Sequence, residues 1–288
     1  MAIIDSVSNR LRLYYVLIKP GIVYGNALTA IAGYLFYGAI DVNSFMGMLI
    51  GLMLVMSASC VFNNIIDIDI DREMARTKKR PFISGQVSVR EGYWLASVLL
   101  ATGTVALALL TNLLTVFLSY VGFIAYVFLY GYAKRRTHHS TIIGTISGSM
   151  PPVIGYTAAS GRLDTTALIL FLILVFWQMS HFLSIAIFQR KDYKKANIPL
   201  LPIVRGVDET RRQIIIYALL FIISCVALWL FGGASLLWLV AMFLAGGYWL
   251  KLCLTNASDI DIWAKRQFRW SLWVLLILCV SLIISGVI

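Results

Sequence analysis

Residues 42–81 read VNSFMGMLIGLMLVMSASCVFNNIIDIDIDREMARTKKRP, and this stretch joins the two features that decide the fold. Up to Ile66 it carries no charge, and its length is enough for a helix that crosses a bilayer. After Ile66 the chain changes abruptly, because three aspartates are followed by a run of cationic side chains that extends to Arg80. The pattern predicts a membrane helix that ends in a charged polar site.

The spacing of the acidic residues predicts one polar face. If the helix continues, Asn63, Asp67 and Asp71 lie at positions i, i+4 and i+8, with a drift of only about 40° per step. Asp69 then points the other way. Carboxylate and amide oxygens beside many cations suit Mg²⁺ that holds an anionic phosphate group, because Mg²⁺ completes its shell with water and phosphate oxygens. We therefore predict a magnesium and phosphate site here.

The composition of the chain places it in a membrane. Of its 288 residues 60% are hydrophobic and 13% are charged, and the mean hydropathy is +0.85, which is outside the range of soluble globular proteins. An uncharged interval of roughly 20 residues accommodates one transmembrane helix, and residues 92–133 and 213–250 accommodate two each. We predict an all-α polytopic membrane protein, one domain over residues 1–288, with nine helices in the intervals 21–40, 42–66, 92–133, 137–161, 165–189, 213–250 and 270–288.

The distribution of Lys and Arg predicts the orientation of the chain. If the N-terminus lies in the cytoplasm, every Lys and Arg except Arg162 falls on one side of the membrane. Cytoplasmic loops carry an excess of these residues, so we predict a bacterial inner-membrane protein with its C-terminus outside. The same asymmetry accounts for the net charge of +11 without nucleic acid as a partner. The acidic clusters share these loops, which places the predicted chemistry at the cytoplasmic face.

Two lysines and a tyrosine add to the charged side. Lys19 precedes Pro20 at the start of the first span, and Lys134 follows Tyr130 at i, i+4 near the end of the fourth span. Residues with this spacing share a helical face, so Lys134 can reach the site predicted around the aspartates. Lysine and tyrosine are also ordinary anchors at a membrane interface, and that simpler interpretation stays open for all three.

The sixth predicted span carries His181 well inside the membrane, followed by Arg190 and Asp192 at its end. Ionisable residues at such a depth usually face a cavity or a partner, although a lone histidine is more often a hydrogen-bonded structural residue than a ligand. Asp192 suits either a salt-bridged surface acid or a further metal contact. In the fifth span, Pro151-Pro152 predicts a kink or a break.

The rest of the chain carries little recognisable chemistry. Asp259 and Asp261 lie two residues apart, which a regular helix places on different faces, and we assign them to the surface of a loop. The sequence contains no GxxxxGKS phosphate loop, no GxGxxG fingerprint and no HExxH motif. Nucleotide-driven transport, a dinucleotide enzyme and a zinc protease therefore have no support.

Four blocks of the sequence resemble one known family. The motif NxxxDxxxD formed by Asn63, Asp67 and Asp71 resembles the signature of the UbiA-type intramembrane prenyltransferases. The blocks DREMARTKKRP…SG (71–85), KRRTHHSTIIGTISGSMPPVIGY (134–156) and WQMSHF…DYKKANIPLLP (177–202) resemble the branch of that superfamily that farnesylates heme. The resemblance covers nearly the whole chain. It departs from the wider superfamily after the sixth helix, where only Asp192 stands in place of a second Asp-rich motif.

The resemblance implies a helical bundle around a central cavity that opens sideways to membrane lipid, with Mg²⁺ as cofactor and farnesyl diphosphate and protoheme IX as substrates. A heme-modifying enzyme or a terminal oxidase assembly is a further candidate partner. We expect Mg²⁺ to be held by the side chains that carry oxygen ligands in the motif and after the sixth helix, namely Asn63, Asp67, Asp71 and Asp192. We expect the diphosphate or the heme propionates to contact Lys19, Arg72, Arg80, Tyr130, Lys134 and Arg190.

The expected catalytic group comprises Asp67, Asp71, Lys134 and His181. For His181 three roles stay open: it orients or ligates the heme iron, because imidazole is a common axial ligand, it acts as a base near the reacting cation, or it only forms a structural hydrogen bond. Two alternative functions also stay open. One is prenyl transfer to a quinone precursor or a chlorin, and the other is transport of a cation or lipid phosphate, although coupled transporters place their ion sites near the midplane.

Overall fold

The computed structural model describes the backbone of residues 2–255 and 258–288, and the side chains of residues 9–255 and 258–288. Within these residues the chain is helical and contains no strand. The helices are α1 (Ala2–Leu17), α2 (Pro20–Phe36), α3 (Val42–Ile66), α4 (Ile68–Glu73), α5 (Val89–Leu110), α6 (Leu113–Ile124), a π-helix (Ala125–Tyr130), α7 (Gly131–Ala133), α8 (Ser140–Gly148), α9 (Met150–Ser160), α10 (Thr165–Phe188), α11 (Arg190–Lys195), α12 (Leu201–Val204), α13 (Val207–Phe231), α14 (Leu236–Leu254) and α15 (Ile260–Val287).

Seven helical segments in the described residues are long and apolar enough to cross a membrane. They are α3, α5, the continuous run from α6 to α7, α10, α13, α14 and α15. An eighth is counted if Asn9–Leu17 and Pro20–Phe36, which meet at 58°, form one bent span. The two long intervals, 92–133 and 213–250, each divide into two helices as predicted, after Leu110 and after Phe231. The chain is therefore a multi-pass, all-α membrane protein.

The predicted count of nine differs from the structure in the fifth span. Residues 140–160 form two shorter helices, α8 and α9, that meet at Ser149. The break lies just before Pro151-Pro152, where two successive residues lack the N–H that would continue the helical ladder. The break predicted from these prolines is confirmed. Because each half is short, this segment does not count as one continuous span in the described part of the chain.

Close helix contacts through glycine hold the bundle together. A Cβ atom on Gly155 of α9 would lie 1.9 Å from the carbonyl oxygen of Ala30 in α2, and one on Gly33 would lie 2.1 Å from that of Pro152. Small residues permit this approach of two backbones, which is how membrane helices gain van der Waals contact. A Cβ atom on Gly286 of α15 would likewise lie 2.2 Å from the carbonyl oxygen of Leu35 in α2. The last helix thus packs against the second one.

The two long polar segments of the chain meet at one end of the bundle. Ile70 and Met74, from α4 and the residue that ends it, pack in an apolar cluster with Ala186, Ile198 and Leu200. This cluster joins the aspartate segment to the chain around α11. It brings the two segments that the sequence identifies as functional to the same face of the protein.

Candidate active site

The polar face predicted for the aspartate segment is present. Although α3 ends at Ile66, the helical hydrogen bonds continue, because the N–H of Asp67 donates to Asn63 O (3.0 Å) and that of Asp71 donates to Asp67 O (2.8 Å). The side chains of all three residues are consequently on one side and buried, with 3%, 8% and 4% of their surfaces exposed. Asp69 is exposed, as predicted.

Arg135 fixes the outer side of this segment. Its guanidinium donates two hydrogen bonds to the carboxylate of Asp69 and a third to Ile66 O (2.7 Å), one of the free carbonyls at the end of α3. The hydrogen bonds from Arg135 lower the pKa of Asp69 to about 2. Arg135 also lies 3.9 Å from Asp67. Sequence reasoning missed this residue, although the run of cations at 134–136 was the available signal.

Each buried aspartate faces a cation. Lys134 pairs with Asp67, and both side chains are nearly buried. Burial lowers the pKa of Lys134, while the neighbouring Asp67 carboxylate opposes that shift. Arg80 pairs with Asp71 and lies 3.4 Å from the side-chain oxygen of Asn64. The predicted cations Lys134 and Arg80 therefore belong to the site.

Lys19 reaches the site through an unusual backbone conformation. It lies between α1 and α2 with φ 53° and ψ 65°, in the left-handed region, which costs a residue with a Cβ atom about 1–2 kcal/mol. Its ammonium donates to the side-chain oxygen of Asn63 at 2.8 Å. The next residue, Asn64, donates to Leu17 O at 2.8 Å and so satisfies the end of α1. Asn63 and Asn64 thus stabilise the break between α1 and α2 that directs Lys19 into the site.

A π-helix places two tyrosines beside these groups. Tyr126 and Tyr130 stack with ring centroids 5.9 Å apart, and the ammonium of Lys134 lies 5.2 Å from the centre of the Tyr130 ring. The hydroxyl of Tyr126 donates to the side-chain oxygen of Asn63 at 3.3 Å. π-helical turns inside α-helices occur frequently at functional sites. The sequence analysis identified Tyr130 but missed Tyr126, which has no motif of its own.

The donor set fits a divalent cation bound together with a phosphate. Asp67 and Asp71 offer carboxylate oxygens on successive turns, the ligands that Mg²⁺ prefers. In the described residues no group of three or more His, Cys, Asp or Glu side chains is close enough to hold a metal alone. A metal at this site therefore depends on oxygens from water and substrate. That requirement agrees with the predicted combination of magnesium and diphosphate.

The amide of Asn63 adds a free donor to the site. Its oxygen accepts from Lys19 and Tyr126, which fixes the orientation of the amide because an ammonium can only donate. The amide nitrogen is buried and has no hydrogen-bond partner in the part of the chain that the structure describes. Buried polar groups are nearly always paired, so this donor suits an oxygen atom of a bound anion.

The other predicted site residues lie elsewhere. Arg190 pairs with Asp261 and donates to Ile187 O (2.7 Å), so Asp261 is tied to α11 rather than to a solvated loop. Asp192 is half-buried on α11 and, among the described side chains, it forms no ion pair and does not group with Asp67 and Asp71. Arg72 is exposed on α4.

His181 is enclosed between α10 and α15. Its Nδ1 atom lies 2.7 Å from the hydroxyl of Ser271. Its ring stacks on Trp177, with centroids 4.8 Å apart, and packs 4.9 Å from Phe268. Only 7% of its surface is exposed. Of the three roles considered for His181, this environment supports the structural hydrogen bond.

This fold and site define a class of membrane enzyme. Residues 26–273 match the UbiA prenyltransferase family, and the chain belongs to that family. Among its relatives is the protoheme IX farnesyltransferase of Francisella tularensis subsp. novicida (strain U112), which is 40% identical over 276 residues, or 93% of this chain and 98% of that protein. The predicted resemblance is confirmed.

Solved structures share the fold at low identity. A digeranylgeranylglyceryl phosphate synthase superposes with a TM-score of 0.80 at 18% identity, covering 97% of this chain and 99% of that one. A UbiA homologue from Archaeoglobus fulgidus bound to GPP and Mg²⁺ gives 0.67 at 14% identity, covering 92% and 99%. The helical arrangement is therefore that of the family along most of the chain.

Proposed function

We propose that this protein transfers the farnesyl group of farnesyl diphosphate to a vinyl group of protoheme IX, with addition of water, to give heme O and diphosphate. The observation that carries the proposal is the 40% identity with a protoheme IX farnesyltransferase over 93% of this chain. It is supported by a buried site in which three cations and two acids converge, Lys19, Arg80, Lys134, Asp67 and Asp71.

The cations of the site serve the diphosphate half of the reaction. When the bond between the allylic carbon and the diphosphate oxygen breaks, negative charge develops on the phosphate oxygens. Lys19, Arg80 and Lys134 already converge on the site, where they contact Asn63, Asp71 and Asp67. They can stabilise that charge when they turn from these oxygens to the phosphate oxygens. Preorganised donors of this kind are usually the largest single contribution to catalysis. The free amide N–H of Asn63 adds another donor.

Asp67 and Asp71 would hold Mg²⁺. The other two residues that the sequence predicts as ligands are less suited to it, because the oxygen of Asn63 accepts from Lys19 and Tyr126 and Asp192 does not group with the two carboxylates. When bound, Mg²⁺ neutralises charge on the diphosphate and makes it a better leaving group. The relative from Archaeoglobus fulgidus, which binds GPP and Mg²⁺, supports dependence on a divalent metal. With Mg²⁺ on the carboxylates, Lys134 and Arg80, which pair with them in this structure, would turn to the phosphate oxygens.

The transfer of the farnesyl group to the heme requires a site from which water is excluded. A vinyl carbon of the heme forms the new bond to the farnesyl carbon, and water then adds its oxygen to the resulting benzylic-type cation and releases a proton. Cys60 lies almost one helical turn before Asn63 on α3 and is buried near Lys19, so the site has an apolar neighbour on its side towards the membrane interior. An apolar wall keeps water from the first cation until the carbon–carbon bond has formed.

The remaining features of the proposal concern place and partners. The whole chain, residues 1–288, acts as one prenyltransferase domain in the bacterial inner membrane, with its site and N-terminus at the cytoplasmic side and its C-terminus outside. This orientation follows from the Lys and Arg distribution. Heme O then passes to a heme-modifying enzyme or a terminal oxidase assembly.

The test uses the purified full chain in lipid nanodiscs with Mg²⁺, farnesyl diphosphate and protoheme IX. We expect released diphosphate and a heme product whose mass has increased by one farnesyl group and one hydroxyl group. Asp71→Asn should abolish turnover, whereas the matched control Asp69→Asn, on the opposite face of the same segment, should retain it within about fivefold. Absence of product from the wild-type protein, or equal turnover in both variants, would contradict the proposal.

A further inference from the structure

A cavity opens next to the residues that follow Lys134 in the chain. Its volume is about 500 Å³, within the usual range for small-molecule sites. Its walls come from the residues before α8 and from α8, α10, α12 and α13. The floor is apolar, because Met179, Leu183 and Leu201 are buried there. Polar side chains line the rim, including His138, His139 and Arg205.

The chain has few histidines that could ligate an iron atom. The sequence contains three histidines, and the two accessible ones, His138 and His139, both line this cavity. Their rings lie 4.0 Å apart. His181, by contrast, is enclosed by aromatic rings and bonded to Ser271. An iron atom at the centre of a flat macrocycle therefore has access to the first two imidazoles and not to the third.

Resting on the proposed function, we propose that this cavity is the heme-binding site, in which the pair His138 and His139 supplies the axial ligand of the iron and Arg205 binds a propionate. The chemistry of the lining matches the three parts of the ligand. An apolar floor suits the porphyrin face, an imidazole suits the iron, and a guanidinium suits a carboxylate.

The charge environment keeps an imidazole available to iron. Burial lowers the pKa of His138, and the nearby His139 and Arg205 lower it further, which favours the neutral form of the ring. A neutral imidazole is the form that ligates metals. Glu209 also lines the cavity, but Gln213 donates to its carboxylate at 3.1 Å and Arg212 lies 3.8 Å from it. Its charge is therefore partly balanced by neighbours.

The position of the cavity brings the acceptor near the prenyl donor. His138 lies four residues after Lys134, which pairs with Asp67. Four residues span at most about 14 Å even when fully extended. A porphyrin held at the histidine pair can thus extend its vinyl edge towards the aspartate site while Arg205 holds the opposite, propionate edge.

The experiment is a titration of the full chain in detergent with three ligands: protoheme IX, metal-free protoporphyrin IX and the dimethyl ester of protoheme IX. The absorption spectrum reports iron ligation, and quenching of tryptophan fluorescence reports affinity. The variants are the double substitution His138→Ala with His139→Ala, Arg205→Gln, and His181→Gln as the comparison. Thermal unfolding of every variant shows that it is folded.

We expect the double variant to lose the spectrum of histidine-ligated heme and to bind protoheme at least about tenfold more weakly. Its affinity for metal-free protoporphyrin should change less than threefold, and added imidazole should restore the ligated spectrum. Arg205→Gln should weaken protoheme binding by about tenfold or more, because a charge-assisted hydrogen bond is lost, but should not affect the dimethyl ester. His181→Gln should keep the ligated spectrum.

An unchanged spectrum and affinity in the double variant, or loss of the ligated spectrum in a folded His181→Gln protein, would overturn the assignment. The same measurements separate this inference from the proposed function. If the wild-type protein forms no farnesylated heme, the proposed function fails, and the spectra still decide the site. If it forms heme O and the double variant binds heme normally, only the site assignment fails.

Discussion

Asp67→Asn removes the charge that faces Lys134 in the buried part of the site, and its consequences separate folding from catalysis. Neutralising one partner of a buried ion pair costs about 3–5 kcal/mol, mainly because a buried charge loses its partner. Lys134 limits this cost, since burial already lowers its pKa and it can release its proton. We therefore expect the free energy of unfolding to fall by about 2–4 kcal/mol at neutral pH.

The loss of stability in Asp67→Asn should depend on pH. In the variant, the Asp67 carboxylate no longer raises the pKa of Lys134, so burial lowers that pKa further below its value in the unfolded chain, about 10.4. The unfolded state then binds more protons than the folded state between these two pKa values, and stability rises with pH across that window. The deficit of Asp67→Asn relative to wild type should shrink as the pH is raised from 7 towards 10.

A double-variant cycle tests the magnitude. Lys134→Met alone leaves the Asp67 carboxylate buried and should also be destabilising, whereas Asp67→Asn with Lys134→Met should regain most of the lost stability and remain inactive. The measurements are thermal unfolding in detergent and release of diphosphate. Additivity of the two single changes to within about 0.5 kcal/mol would show that the residues are not coupled. Recovery of turnover in the double variant would refute the catalytic part of the reasoning.

Three further predictions concern single side chains. Lys19→Gly relieves the left-handed strain, worth about 1–2 kcal/mol, so the unfolding midpoint should hold or rise while diphosphate release falls at least about tenfold. A fall in both quantities would contradict the role of the ammonium. Tyr126→Phe removes a hydrogen bond to Asn63, which should raise the KM for farnesyl diphosphate about fivefold with no change in the unfolding midpoint; an unchanged KM would dismiss that contact. Gly155→Ala should prevent recovery of folded protein on gel filtration, because its Cβ would lie 1.9 Å from a carbonyl of α2, whereas Gly25→Ala, with nothing within 4 Å, should fold normally.

The helical face of the site could be predicted from sequence because it depends on local periodicity. Residues spaced by four in a helix share a side whatever surrounds them, and Asn63, Asp67 and Asp71 do so even though α3 formally ends at Ile66. The nearby cations were identifiable for a related reason. A charge at the end of an apolar span either stays in the interface or meets an opposite charge, and Lys134 and Arg80 meet one.

Contacts between distant segments were not predictable in the same way. The bond from Lys19 to Asn63 depends on a left-handed residue that no pattern marks, and Tyr126 reaches Asn63 from the π-helix. Arg190 and Asp261 were assigned separate roles because they lie far apart in sequence, yet tertiary packing pairs them. The fifth span was predictable only in part. Pro151-Pro152 predicted the break, but not that it would leave two short helices.

The contact of Gly286 with Leu35 has a consequence for how the protein is made. A polytopic membrane protein emerges from the ribosome from its N-terminus, and domains generally form in that order. Here α2 is among the first helices to be inserted, but one of its faces gains a protein partner only when α15, the last helix, arrives. Until then lipid or the insertion machinery covers that face. The contact between α2 and α15 therefore forms only after the helices between them have been made, so truncation of the last turns of α15 leaves the face of α2 around Leu35 open to the membrane.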